Sequence, residues 1–184
     1  MTNKMPDLSL EESFRGYVIG IDEAGRGPWA GPVTVTALWL NPNFYNKLPG
    51  DINDSKKLKP KRRAELVTFL KIWPNLYCTV SKDVYVIDQL GVLKATLAAM
   101  TDAANGLIAL MAKAGFAAPS CALIDGPILP PEMPCPCKAV VHGDAKSISI
   151  AGASIIAKHS RDGIMQDLDV QWPVYGWGKN KGYG

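Results

Sequence analysis

The chain is predicted to fold as a single mixed α/β domain. Three observations carry this reading: apolar, β-branched runs come early, helical stretches are interleaved with the later strands, and no repeat or linker divides the 184 residues. A hydrophobic fraction of 47% is enough for one buried core.

Residues 17–22 and 33–40 read as strands, separated by Gly25, Gly27, Pro28, Gly31 and Pro32. A loop rich in Asn, Pro and Gly over 41–53 leads to Asp54-Ser55 and a basic segment. Pro60 suits the first turn of a helix running through Lys71. Residues 75–81 form a third strand, and a short helical piece from Asp83 ends at Gly91. The spacing of Leu93, Leu97, Met100, Ala104, Leu107, Leu110 and Met111 predicts a long helix over 92–114. Residues 121–125 make a short apolar strand that ends in Asp125 and is stopped by Gly126-Pro127. A proline-rich loop over 127–136, a strand over 138–142 and a helix over 147–169 follow. The Gly- and aromatic-rich residues 172–184 read as loop, and residues 1–16 as a flexible N-terminal segment.

The formal charge of +3 is mildly basic and permits a polyanionic partner. No uninterrupted apolar run of about 18 residues is present, so no membrane partner is expected. Residues 1–13 are polar and lack the basic and apolar blocks of a signal peptide, which makes a cytoplasmic location the expectation. Cys78, Cys121, Cys135 and Cys137 are expected to be reduced thiols. Cys135-Pro136-Cys137 is not the C-x-x-C of a zinc knuckle, and His142 and His159 are the sole histidines.

The chemistry-bearing residues are acidic. Asp22-Glu23 lies at the end of one apolar strand, Asp125 ends another, and Asp144 follows a third just before a helix. Strand ends in an α/β sheet converge on one edge, where sites form. Carboxylates gathered there repel one another, and hard divalent cations with oxygen ligands relieve that. Mg²⁺ or Mn²⁺ suits this set better than zinc. Two such ions about 3.5–4 Å apart favour in-line displacement at a phosphodiester. Taken alone, Asp144 would equally suit a helix cap, and Asp125 the Asp of an Asp-Gly turn. Asp83, Asp88, Asp102, Asp162, Asp167 and Asp169 read as solvated faces or caps. The segment Lys56-Lys57-Leu58-Lys59-Pro60-Lys61-Arg62-Arg63 puts positive charge at a helix start, against the helix dipole, which points to an external anion such as a nucleic-acid backbone. Lys158, Arg161, Lys179 and Lys181 add basic character later.

Six ordered blocks resemble bacterial ribonuclease HII, a type 2 ribonuclease H. They are Gly20-Ile21-Asp22-Glu23-Ala24-Gly25-Arg26-Gly27-Pro28, Asn53-Asp54-Ser55-Lys56-Lys57-Leu58, Leu123-Ile124-Asp125-Gly126, and His142-Gly143-Asp144. The last two are Ala153-Ser154-Ile155-Ile156-Ala157-Lys158 with Arg161-Asp162, and Tyr175-Gly176 with Lys181-Gly182-Tyr183. Together they cover nearly the whole chain from residue 17.

The resemblance implies an RNase H-like mixed sheet flanked by helices over 17–184. It implies hydrolysis of the RNA strand in RNA/DNA hybrids, and cleavage 5′ to a single ribonucleotide in duplex DNA, leaving a 3′-hydroxyl. It assigns Asp22, Glu23, Asp125 and Asp144 as catalytic metal ligands for two Mg²⁺ or Mn²⁺ ions, one activating water and the other stabilising the leaving oxygen. Gly25, Arg26 and Gly27 would read the ribose 2′-hydroxyl through the backbone, since glycines let it approach closely. Tyr183 would stack on the deoxyribose after the ribonucleotide, and Ser55 and Lys56 would hold backbone phosphate.

Two departures stand out. Asn180 occupies a position where the family usually has His, and the family continues past the tyrosine with a helical segment, whereas this chain stops at Gly184. A frayed Tyr183 is the consequent expectation. The alternative function is a nucleic-acid-binding fragment with little activity. A junction resolvase or integrase is a third possibility, against which the Gly25-Arg26-Gly27 turn argues. A monomer is expected.

Overall fold

A computed structural model of the chain describes residues 5–53, 55, 58–72 and 75–184. The described residues form a five-stranded sheet of β1 (Val18–Ala24), β2 (Val33–Trp39), β3 (Leu76–Lys82), β4 (Cys121–Asp125) and β5 (Cys137–Val140), in the order β3-β2-β1-β4-β5. The first three strands pair antiparallel, and β4 and β5 add parallel to β1. The helices are α1 (Ser9–Glu12), α2 (Pro60–Lys71), α3 (Val84–Leu90), α4 (Val92–Lys113), α5 (Ile148–Gln171) and α6 (Trp177–Asn180).

Side chains alternate across a strand, so parity decides which helix each residue meets. Ile19 and Ile21 of β1, Val35, Ala37 and Trp39 of β2, and Ala122 and Ile124 of β4 pack on α4, against Ala99, Met100, Ala103, Leu107 and Met111. Leu38 and Leu40 pack on Ala151, Ile155 and Ile156 of α5 and Leu66 and Leu70 of α2. Val18, Leu123 and Val140 meet Ile150 at the start of α5. The even residues of β1 and the odd residues of β4 therefore share the α5 face. Asp22 and Asp125 have those parities, and they directly follow the paired Ile21 and Ile124.

Helix α4 is long and apolar enough, by length and composition alone, to cross a membrane. Here it is a core helix, with eight residues from Ala95 to Met111 buried. The four cysteines are free thiols.

Gly20 sets the distance between β1 and α5. A Cβ there would lie 2.2 Å from the carbonyl carbon of Ser149 and 2.4 Å from the amide of Ile150. Both are backbone atoms and cannot swing aside. Gly20→Ala is expected to destabilise the fold by about 3 kcal/mol, read as a lower urea midpoint.

Three differences from the sequence expectations have local causes. The strand expected over 138–142 ends at Val140, because His142 adopts a left-handed backbone (φ 56°) and turns the chain. Residues 172–184, expected to be loop, contain a 3₁₀ turn at Pro173–Tyr175 and the one-turn helix α6. Within residues 1–16, expected to be flexible, α1 forms, and Leu10 and Phe14 pack on the cluster around Ile150.

Candidate active site

The open ends of β1 and β4 and the start of α5 enclose a cleft of about 470 Å³. Its lining includes Asp22, Glu23, Asp125 and Asp144, the loop residues Gly25, Arg26 and Gly27, Ser55, Tyr183, and Ser154, Lys158 and Arg161 of α5. Of the candidate site residues, Lys56 lies outside the described residues, as do Asp54 and Lys57 of the same segment.

Asp22 is buried, at 4% exposure. Its Oδ1 accepts the amide of Glu23 at 2.7 Å. Burial, followed by the neighbouring charges of Glu23 and Asp125, pushes its carboxyl well above the ordinary carboxylate range, while the Glu23 amide and the Ser154 hydroxyl pull it down. Asp125 accepts the amide of Gly143 at 2.6 Å, which ties the end of β4 to the turn carrying Asp144. That turn, Gly143–Ala145, is 3₁₀, and Ser147 rather than Asp144 caps α5 by accepting the amide of Ile150. Glu23 receives Arg26 at 3.4 Å, and the Arg26 side chain is 44% exposed.

Among the described residues, no group of three or more His, Cys, Asp or Glu side chains is drawn into a ready metal cage. The donor chemistry nonetheless fits a hard divalent cation. A buried carboxylate flanked by two more is strained by like charge, and oxygen-ligated Mg²⁺ or Mn²⁺ relieves that strain.

The loop after β1 is held by one buried arginine. Arg161, 1% exposed, donates from Nε to Pro32 O at 2.8 Å, from one terminal nitrogen to Lys181 O at 2.9 Å and from the other to Ala30 O at 2.9 Å. Gly25, at φ 110°, passes so close that a Cβ would sit 2.4 Å from Arg161 Nε. Gly182 O accepts the amides of Trp29 at 2.9 Å and Ala30 at 3.2 Å. The fraying expected of Tyr183 is therefore not seen, and its ring lies 3.7 Å from where a Gly27 Cβ would be. The ring stays half-exposed on the rim, and Trp29 beyond it is 93% exposed.

The basic segment differs from its expectation. Arg62 is paired with Asp51 and Glu65. Arg63 is buried, donating to Ser55 O at 3.2 Å and to Asp162 at 2.8 Å. Both arginines serve internal carboxylates, which leaves Lys59 and Lys61 exposed towards an outside anion. Asp162, expected to be solvated, also receives Lys158 at 2.7 Å and so bridges α2 and α5 beneath the cleft. Ser55 reaches the cleft, with its hydroxyl 3.0 Å from that of Ser154. Sequence reasoning assigned no role to Ser154 and read Arg161 only as added charge. The available signal was their spacing: residues 154, 158, 161 and 165 form one stripe of a helix whose first ten residues are almost wholly buried.

The sequence profile of the family described as Ribonuclease HII matches residues 19–184. A protein named Ribonuclease HII from Jannaschia sp. (strain CCS1) is 44% identical over 180 residues, covering 97% of this chain and 84% of that protein. The ribonuclease H2 structure from Pyrococcus horikoshii OT3 superposes with a TM-score of 0.70 at 24% identity, over 91% of this chain and 81% of that one. Bst-RNase HIII in complex with Mn²⁺ superposes with a TM-score of 0.72 at 20% identity, over 84% of this chain and 55% of that one.

Proposed function

The chain belongs to the ribonuclease HII family, enzymes that cut the RNA strand of RNA/DNA hybrids, and has its RNase H-like fold; on that premise we propose that it also incises duplex DNA 5′ to a single embedded ribonucleotide, with Mg²⁺ or Mn²⁺ as cofactor. The observation that supports this best is the convergence of Asp22, Glu23, Asp125 and Asp144 on one cleft whose rim is the Gly25–Gly27 loop and Tyr183. Asp22, Glu23, Asp125 and Asp144 would hold the cations. When bound, two such ions supply an activated water and neutralise charge at the leaving 3′-oxygen. That Bst-RNase HIII was solved with Mn²⁺ supports the choice of ion.

The remaining work falls to the chain's own groups. Gly25, whose absent Cβ would meet Arg161, lets the loop close down on that side chain, and Gly27 carries no side chain to bar a ribose, so backbone groups of this loop can meet its 2′-hydroxyl. Arg26, partly exposed, is placed to hold a phosphate in line once Glu23 is drawn to a cation. Tyr183 offers a ring face on which a sugar can rest. Lys158 adds positive charge on the cleft wall, and Ser154 orients Asp22. Neither a protein nucleophile nor a protein general base is required.

The test is a DNA duplex carrying one ribonucleotide, incubated with Mg²⁺ or Mn²⁺ and, in parallel, with chelator. Metal-dependent cleavage 5′ to the ribonucleotide is expected. Binding without cleavage would replace this reading with that of a nucleic-acid-binding module. Arg26→Ala removes the phosphate contact and keeps the backbone, so it is expected to lower kcat/KM on the ribonucleotide duplex by about tenfold. An unchanged kcat/KM would remove the Arg26 side chain from the site.

A further inference from the structure

An acid outside the cleft is joined to it through backbone. Glu11 is 3% exposed although it lies in a single helical turn near the start of the chain. Its Oε1 accepts the hydroxyl of Ser147 at 2.6 Å and the amide of Ser149 at 2.8 Å. Its Oε2 is buried with no hydrogen-bond partner among the described residues. Burying a carboxylate is costly, and here two donors and the positive end of α5 offset that cost.

Ser147 caps α5 through the amide of Ile150, and Glu11 satisfies a second free amide of the same first turn, that of Ser149, from a distant part of the chain. What Glu11 adds is a fixed starting point for the helix. Asp7 reinforces it, with its amide donating to Lys146 O at 3.3 Å and its carbonyl accepting from Ile148 at 3.2 Å. The N-terminal segment thereby forms a rung over residues 146–149. On the other side of that rung, Lys146 and Ser147 donate their amides to Gly143 O at 2.9 and 2.8 Å. Gly143 in turn donates its own amide to Asp125. A continuous path thus runs from Glu11 through Ser147 and Gly143 to Asp125, and Asp144 sits inside its turn.

We infer that Glu11 is a positioning residue for the metal site, setting the start of α5 and through it the placement of Asp125 and Asp144. The inference rests on reading those two acids as cation ligands. Groups that orient metal ligands from behind typically change metal affinity or activity by about 10–100-fold when removed.

The experiment compares wild type, Glu11→Ala, Glu11→Gln and Asp125→Asn. Mn²⁺ binding without nucleic acid is measured by calorimetry, kcat and KM on the ribonucleotide duplex by steady-state cleavage, and the fold by circular dichroism and urea midpoint. Glu11→Ala is expected to stay folded, bind Mn²⁺ about tenfold more weakly and lose about tenfold in kcat, with KM for the duplex unchanged. Glu11→Gln keeps an oxygen acceptor for both donors and is expected to recover most of the loss. If Glu11→Ala fails to fold, Glu11→Asp, one methylene shorter, reads the same quantities. A lowered urea midpoint with wild-type Mn²⁺ affinity and kcat would reduce Glu11 to a structural anchor and overturn the inference. Asp125→Asn separates the two levels: wild-type Mn²⁺ binding in that variant would overturn the ligand reading itself.

Discussion

Replacing Asp22 with Asn is expected to lower cleavage by roughly three orders of magnitude, about 4 kcal/mol of transition-state stabilisation, while leaving the fold intact. The amide side chain is nearly isosteric and can still accept the Glu23 amide at the position where Asp22 does. Stability should move the opposite way to activity. The folded carboxyl of Asp22 lies well above its ordinary value of 3.8, because of burial first and the charges of Glu23 and Asp125 second. A raised carboxyl binds protons more tightly folded than unfolded. Its contribution to stability is thus fully present below about pH 3.8 and is lost as pH rises through the folded value. In chelator at neutral pH, Asp22→Asn should therefore melt higher than wild type. Added Mn²⁺ reverses the order: at a hundredfold excess over Kd, it stabilises wild type by about 2.7 kcal/mol, a shift of roughly 5–10 °C, and the variant by much less. Differential scanning with and without Mn²⁺ checks both signs. A wild-type Mn²⁺ response in the variant would remove Asp22 from the ligand set.

Arg161→Ala is expected to be the most damaging change outside the acids. It deletes a buried guanidinium and strands three carbonyls, those of Ala30, Pro32 and Lys181, at a cost of about 4 kcal/mol. These carbonyls belong to the segment that follows Gly27 and the one that precedes Tyr183. Their release should blur the recognition of ribose as well as lower the urea midpoint. Arg161→Lys should fall between, since one ammonium lacks the planar fork that spans three acceptors. Measuring the midpoint together with the cleavage ratio of ribonucleotide and all-DNA duplexes separates the effects. A lower midpoint with an unchanged ratio would confine Arg161 to the fold.

Much of this architecture was legible in the sequence because it follows local periodicity. The apolar runs of 17–22 and 121–125 place Asp22 and Asp125 at strand ends, Pro60 marks the first residue of α2, and the apolar stripe of 92–114 becomes α4. What escaped was the pairing of ionic groups. Arg63 meets Asp162 across 99 residues, Arg161 reaches Pro32 across 129, and Glu11 reaches Ser149 across 138. No local pattern encodes such partners. A charged residue on an otherwise buried helix reads as solvated until the fold supplies its counterpart. The same limit explains Tyr183, judged frayed from its place near the chain's end yet held by Gly182 and Arg161.

The exposure of Trp29 has an optical consequence. Its indole stands in water at a separate groove that it lines with Trp172, Tyr175 and Trp177, whereas that of Trp39 is 1% exposed, edge-on to Tyr17 at 5.1 Å and against Phe116 at 4.5 Å. The two should fluoresce differently, Trp29 red-shifted and open to iodide, Trp39 blue-shifted and shielded. Anything that covers that groove dims the first and spares the second, while unfolding shifts the second. Difference spectra against Trp29→Phe isolate the Trp29 signal, so the chain carries an optical reporter of that groove distinct from its reporter of folding.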